Sequence, residues 1–527
     1  AIRRVLSELL LHFPVYRTYV AGNGRDAIDA AVFAHAMAGA RAALRRADQA
    51  LLDVLAGWLG GTVANDLPAE ARRLMNRVVT KFQQLTPPLA AKSVEDTAFY
   101  RYGRLLSRNE VGADPGQFSL GRTAFFAACL QRQAAFPHAM LATATHDHKR
   151  GEDVRARLMV LAEMPQRWER TVRRWMALNG LPALAAAALP VSQAVPEASP
   201  LRPSPADEVM LYQTLVGAWP LGLEATDAEG IRQFITRVGE WLTKAVREAK
   251  RDSDWAMPNE AYETLCHDFL FQIFDAGRNA VFIAEVVDLV EQIARPGAIN
   301  GLSQTLLRLT MPGVPDLYQG TDVWDFSLVD PDNRRPVDFE SRRTMLAKNR
   351  DAFLPREDNG ASGFATDRSS QIAALLSHWQ DGAVKQATIA AVLGLRKQRP
   401  ALFDRAVLLP VKVSGSLERH VVAFLRHDED AAMLVIALRF PASAGLAVGK
   451  DGAQTGLNWA RPVSGWGDTA LVFEPDWLAA LPQAVQQHLQ QGMTDQFSGR
   501  QLAWANGRLS MDQVLGNLPV AVLTTAH

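Results

Sequence analysis

Residues 139–153 read Ala139-Met140-Leu141-Ala142-Thr143-Ala144-Thr145-His146-Asp147-His148-Lys149-Arg150-Gly151-Glu152-Asp153. The apolar run up to Ala144 predicts a buried strand that ends near Thr145. A His-Asp pair at that end, followed at once by Lys149 and Arg150, is costly to build for packing alone, because buried charges must be paired or put to use. At the C-terminal end of a barrel strand, such a cluster stands where active sites form.

On either side of this stretch the pattern alternates. Pro87-Pro88-Leu89-Ala90-Ala91-Lys92 reads as a short strand after a proline break, and Thr123 to Phe136 as a helix before the strand at Ala139. Strand, helix, strand is the signature of a parallel α/β unit. The first eighty residues are helical by period, with Ile2, Val5, Leu6, Leu9 and Leu10 on one face. Residues 152–294 carry further helical faces, interrupted by a Pro- and Ser-rich loop from Pro190 to Pro205. Pro312 to Gly320 contains another short strand, and Lys385 to Lys397 a helix that stops before Pro400. After residue 405 the period becomes two, with strands expected at 407–413, 421–426, 433–439 and 469–473. This predicts a C-terminal antiparallel β-sandwich.

The chain has 527 residues, enough for two to four domains. Lys plus Arg and Asp plus Glu balance at 56 each, which argues against a nucleic-acid binder. Only Cys129 and Cys266 occur, so a disulfide scaffold is excluded and a reducing cytoplasm is the expected setting. No apolar run is long enough to span a bilayer. The chain opens without Met, directly in an amphipathic helix and without a signal-peptide pattern, which suggests a piece of a longer protein.

Several blocks then fall together. Val94-Glu95-Asp96-Thr97-Ala98-Phe99-Tyr100-Arg101-Tyr102, Asn109-Glu110-Val111-Gly112, the stretch Thr145 to Arg155, Pro312-Gly313-Val314-Pro315-Asp316-Leu317-Tyr318-Gln319-Gly320 and Leu328 to Asp338 resemble maltooligosyl trehalose synthase. They are ordered and spread over roughly residues 14 to 400. The resemblance implies a member of the α-amylase clan: a (β/α)8 barrel with large helical insertions and a C-terminal β-sandwich. It implies an isomerase, a (1→4)-α-D-glucan 1-α-D-glucosylmutase. Such an enzyme turns the reducing-end α-1,4 bond of a maltooligosaccharide into an α,α-1,1 bond without a cofactor.

On that architecture, 1–85 and 151–300 are helical insertions, 86–150 holds barrel strands six and seven, 301–404 holds strand eight and closing helices, and 405–527 is the sandwich. The fold class is α/β with a partial barrel, strands one to five being absent. A retaining enzyme needs two carboxylates about 5 Å apart, as nucleophile and acid/base. In the clan these lie on strands four and five, so they are expected in a missing N-terminal half, which becomes the implied partner. Asp147 resembles the third clan carboxylate, which grips the sugar at subsite −1 in its distorted transition state. His146 would donate to a hydroxyl there.

The resemblance also places Lys92, Glu95 and Lys149 in the reducing-end pocket, with Tyr16 reaching it. Released glucose must turn there while water stays out. The plain alternatives are ordinary salt bridges, and for Tyr16 simple packing. Asn333 and Arg334 would shape the cleft or clamp the loop. Ser93 stands where the family carries Gly, and Asp254-Trp255 departs from its usual run, which leaves Trp255 without an assigned role. Trp459, Trp466 and Trp477 read as sandwich core rather than a sugar platform. His146 and His148 also fit a binuclear metallohydrolase, but no other His falls on the expected strands six or eight. An α-1,4-glucan hydrolase of the same clan, or an inactive glucan-binding or assembly module, are the competing readings.

Overall fold

The computed structural model of the protein describes residues 1–21, 24–61, 68–114, 116–186, 202–353, 368–446 and 459–525. Most of the loop expected from Pro190 to Pro205 lies outside the described residues. The chain divides into two compact units, residues 1–101 with 247–257 and residues 102–246 with 258–527.

The first unit holds α1 (Ile2–Leu11), α2 (Ala27–Ala43), α3 (Arg46–Leu59) and α4 (Ala69–Ala90). Their apolar faces meet in one core around Val5, Leu9, Phe33, Ala36, Leu52 and Phe82. Phe13 stands edge-on to both Phe33 and Phe82, at 5.6 and 5.3 Å. Asp26 caps α2 by accepting from the Asp29 amide.

The strand expected at 88–92 is not formed. Instead α4 runs through Pro87 and Pro88 to Ala90, and a π-helical turn follows at Ala91–Glu95. Prolines lack the helical N–H and usually end a helix. Here Val79, Phe82, Gln83 and Thr86 are buried at helical spacing, and that packing carries the helix into its last turn. The π turn closes with the Asp96 amide on the Ala91 carbonyl at 2.9 Å.

The second unit begins with α5 (Arg122–Ala135), β1 (Met140–Leu141), α6 (Glu152–Leu158), α7 (Pro165–Ala186), α8 (Pro205–Ala218) and most of α9 (Ala228–Ala249). It continues with α10 (Glu260–Ile273), α11 (Ala276–Thr310), β2 (Val314–Pro315), α12 (Phe339–Phe353), α13 (Ser369–Ser377), α14 (Ala383–Gln398) and α15 (Pro400–Asp404). The two strands expected around residues 139–145 and 314–318 are real but only two residues long each. They pair in parallel, Met140 with Val314 and Leu141 with Pro315. They are not a buried sheet, since Met140 is 69% exposed and Val314 40%.

Helices α6 and α11 approach closely because α11 presents Gly297 and Gly301 on one face. A Cβ at Gly297 would lie 2.7 Å from the Arg157 Cα, and one at Gly301 2.6 Å from Asp153 Oδ1. Gly217 of α8 lets Leu158 and Val154 in from the other side. Beneath this contact Arg157 is buried and donates from Nη1 to the carbonyls of Val216, Gly217 and Trp219, so it caps α8.

The C-terminal region is antiparallel, as its period predicts. The strands are β3 (Val407–Pro410), β4 (Lys412–Ser414), β5 (Val421–His427), β6 (Ala432–Leu438), β7 (Ala470–Val472), β8 (Met493–Asp495), β9 (Gln501–Leu502), β10 (Arg508–Ser510) and β11 (Val520–Thr525). One sheet has the order β3-β5-β6-β11-β8-β9 and the other β10-β7-β4. Both feed one core, which includes Val413, Leu471, Val435, Val522, Trp459 and Trp466, with Trp477 packed against it. β5, β6 and β11 are buried at every residue, so their apolar runs do not alternate with solvent. Arg426 is buried on β5 and donates to the carbonyls of Thr310, Phe403 and Ala406, which ties the sheet to α11 and α15.

Candidate active site

The turn after β1 divides its side chains by depth. His146 and Asp147 are exposed, whereas His148, Lys149 and Arg150 are buried. The buried Lys149 ammonium lies 3.6 Å from Asp147 Oδ1, whose side chain is 53% exposed. A carboxylate open to solvent, with a buried cation behind it, is oriented without being neutralised by a tight pair. Thr145 Oγ1 accepts from the Asp147 amide at 3.1 Å.

Two distant side chains hold this turn. Asn333 Nδ2 donates to the carbonyls of His146 (3.0 Å) and Thr145 (3.3 Å). Its own carbonyl receives the Tyr318 hydroxyl at 3.1 Å. Opposite, the Glu110 carboxylate accepts the Lys149 amide at 3.0 Å and the Arg150 amide at 3.4 Å, and pairs with Arg155 at 3.2 Å. Asn333 therefore uses its amide on the turn itself, while Arg334 turns to Asp330. A polar cavity of about 550 Å³ adjoins the turn, with Arg237, Tyr318, Trp324, Asp325, Asn333 and Arg335 in its wall.

The base of the turn rests on a buried ionic chain. Thr143 Oγ1 and Arg308 Nη1 both donate to Glu152 Oε2, at 2.5 and 2.7 Å. Lys385 Nζ bridges Glu152 Oε1 and Asp153 Oδ2 at 2.7 Å each, and reaches the Val323 carbonyl at 3.1 Å. The Asp325 amide donates to Asp153 Oδ2 at 2.8 Å, and Ser327 Oγ donates to Asp325 Oδ2 at 3.0 Å. Ser327 Oγ in turn lies 3.1 Å from His148 Nε2, which returns the chain to the turn. Glu152 and Asp153 also occupy the first turn of α6, where negative charge suits the helix dipole.

Lys385 touches both acids equally, yet they titrate in opposite directions. Burial pushes the Glu152 carboxyl up, but Lys385 and Arg308 outweigh burial and hold it at about 2. Burial pushes Asp153 up to about 6 against the pull of Lys385, and the neighbouring Glu152 charge adds to the rise. Burial alone would lower the Lys385 ammonium, and the two carboxylates raise it above the usual value. Burial also lowers His148, against the nearby acids.

His146 points to solvent and His148 packs inward, edge-on to Tyr318 at 6.0 Å. The two imidazoles are not brought to one point. Among the described residues no group of three or more His, Cys, Asp or Glu comes together as a metal site.

Tyr16, Lys92 and Glu95 fall in the first unit. There the Tyr16 hydroxyl donates to the buried Glu95 carboxylate, and Lys92 pairs with Asp96 on the π turn. His146, Asp147, Lys149, Asn333 and Arg334 all fall in the second unit. The residues that brace the turn, Glu110, Glu152, Asp153, Arg308 and Lys385, carry no role in the sequence reading. Lys385 is the lone charge in the first three turns of its helix.

The turn that carries Asp147 is tied through Asn333 to the wall of the polar cavity. No family model matches the chain. It is 34% identical over 349 residues to the Mycobacterium tuberculosis protein named "Putative maltooligosyl trehalose synthase", covering 66% of this chain and 38% of that one. It is similar over its whole length to the structure of maltooligosyltrehalose synthase from Arthrobacter ramosus, with a TM-score of 0.69, 29% identity and 54% of that chain covered. The Sulfolobus tokodaii hypothetical maltooligosyl trehalose synthase shares the fold at 24% identity and a TM-score of 0.62, with 99% of this chain and 53% of that one covered. The chain is thus similar to maltooligosyl trehalose synthases over part of their length. It spans about half the length of these solved relatives and 38% of the curated one. Among the described residues, no helix is long and apolar enough to cross a membrane.

Proposed function

We propose that this chain carries one wall of an intramolecular transglucosylase that forms trehalose ends on maltooligosaccharides. One observation carries the reading: an exposed carboxylate, Asp147, sits on a turn pinned by Asn333 and Glu110 and is backed by the buried Lys149. In this reading β1 and β2 are barrel strands seven and eight. Their short, exposed pairing suits strands that complete a larger parallel sheet. The nucleophile and acid/base carboxylates belong to the part of the relatives that this chain does not span, and the polypeptide that supplies them is the partner.

The reaction then runs by double displacement. The acid protonates the glycosidic oxygen and the nucleophile takes C1, which frees the reducing-end glucose. Asp147 holds hydroxyls of the sugar at C1 most strongly in its oxocarbenium-like state, with His146 as a donor. The freed glucose turns, its anomeric hydroxyl gives a proton to the first step's acid, now a carboxylate base, and its oxygen attacks C1 and displaces the nucleophile carboxylate to close the α,α-1,1 bond. Lys149 is assigned to retaining that glucose, and Asn333 and Arg334 to the loop that borders it.

Maltopentaose is the test substrate. The 527-residue chain alone is expected to leave it unchanged. Supplemented with the complementary portion of the Arthrobacter relative, it should consume reducing ends and yield a non-reducing product. A rise in reducing sugar instead would mark a hydrolase. Robust turnover by the chain alone would overturn the partial-barrel reading.

A further inference from the structure

We infer that Glu110 is a positioning residue for Asp147, acting through the backbone of Lys149 and Arg150. The inference rests on the assignment of Asp147 above and extends it to a residue without sugar contact.

Glu110 is mostly buried, with its side chain 14% exposed. Its carboxylate gathers four donors: the amides of Lys149 and Arg150, the amide of Val111 and the Arg155 guanidinium. Arg155 in turn donates to the carbonyls of Arg150 and Thr143, on either side of the turn. Glu110 thus fixes the peptide planes that follow Asp147, and Asn333 fixes the carbonyl just before it. Asp147 and His148 lie between the two clamps, which hold the backbone on either side of them, and the Asp147 side chain stays exposed. The same contact holds the backbone of Lys149, whose buried ammonium lies 3.6 Å from Asp147. A displacement of about 1 Å in such a group costs roughly 10²-fold in rate.

The test has two arms. In the full chain, hydrogen exchange at the amides of Lys149 and Arg150 should quicken roughly 10- to 100-fold in Glu110→Ala. The amides of β5 and β6 should keep wild-type rates. Glu110→Gln, which retains one acceptor oxygen, should fall between and guards against a variant that fails to fold. In the complemented enzyme, Glu110→Ala should lower kcat about 10²-fold with KM changed less than about threefold. In an Asp147→Asn background it should cost little more, because the two act as a unit. Unchanged kcat, or an independent second loss on top of Asp147→Asn, overturns the inference, as does unchanged exchange at residues 149 and 150. Full turnover by Asp147→Asn strikes instead at the assignment of Asp147, and the exchange arm still judges the clamp.

Discussion

Replacing Lys385 by Met should destabilise the protein by about 3–5 kcal/mol at pH 8, the range for removing one partner of a buried ion pair. The ammonium is wholly buried and makes contacts of 2.7 Å to each of two carboxylates. Met fills similar volume, so the loss is electrostatic. Glu152 would keep Arg308 and Thr143, so the cost falls mainly on Asp153, left with the Asp325 amide alone. Asp153 already titrates near 6, and without Lys385 its value rises further. A carboxyl with a folded value above its unfolded value favours the fold at low pH and loses that advantage as pH rises through the folded value. The deficit should therefore shrink at pH 5, where Asp153 takes up a proton, by about 1 kcal/mol or more. Urea unfolding at both pH values reads this by tryptophan fluorescence, since the Trp324 ring lies 5.5 Å from the ammonium. Adding Asp153→Asn to the variant should recover much of the loss at pH 8. A loss below about 1 kcal/mol, or one larger at pH 5 than at pH 8, would refute the electrostatic account.

His148 is held neutral by burial, so its contribution is present above about 6.5 and is lost as pH falls below that value. Replacing it with Phe should flatten the fall in urea midpoint between pH 7.5 and 5.5, and NMR titration of the ring should give a midpoint below the usual histidine value. Arg426→Met removes the donor from three buried carbonyls and should cost about 2–5 kcal/mol, seen as a lower unfolding midpoint. Asp147→Asn should change stability by less than about 0.5 kcal/mol, because its side chain is half exposed, while lowering kcat in the complemented enzyme about 10²- to 10³-fold.

The sequence reading is strongest where one element satisfies its own pattern. The helices of the first unit follow from apolar period, because each buries the face that its period marks, whereas β5 and β6 follow from apolar runs that are buried at every residue. It fails at Pro87-Pro88, where a local breaker yields to the burial of Phe82 and Thr86. It overextends β1 and β2, since apolar runs mark what can be buried and Met140 in fact faces solvent. At the turn, the charged cluster itself is legible from composition, but its supports are not. Lys385 and Arg308 reach Glu152 from across the chain, and no spacing rule links positions so far apart. The motif around Glu110 carries the family resemblance without revealing that its carboxylate faces the backbone of residues 149 and 150.

The bond from Asn333 to the His146 carbonyl joins positions 187 residues apart. The entropy of closing a flexible loop grows only with the logarithm of its length, about 0.6 kcal/mol for each doubling. The helices between can therefore gain or lose residues at their outer tips at almost no thermodynamic cost to the turn. What the turn cannot tolerate is bulk at Gly297 or Gly301, where α6 and α11 bring the two ends of that long excursion back together. Close approach at two glycines, rather than the length of the intervening chain, sets how tightly α6 packs on α11.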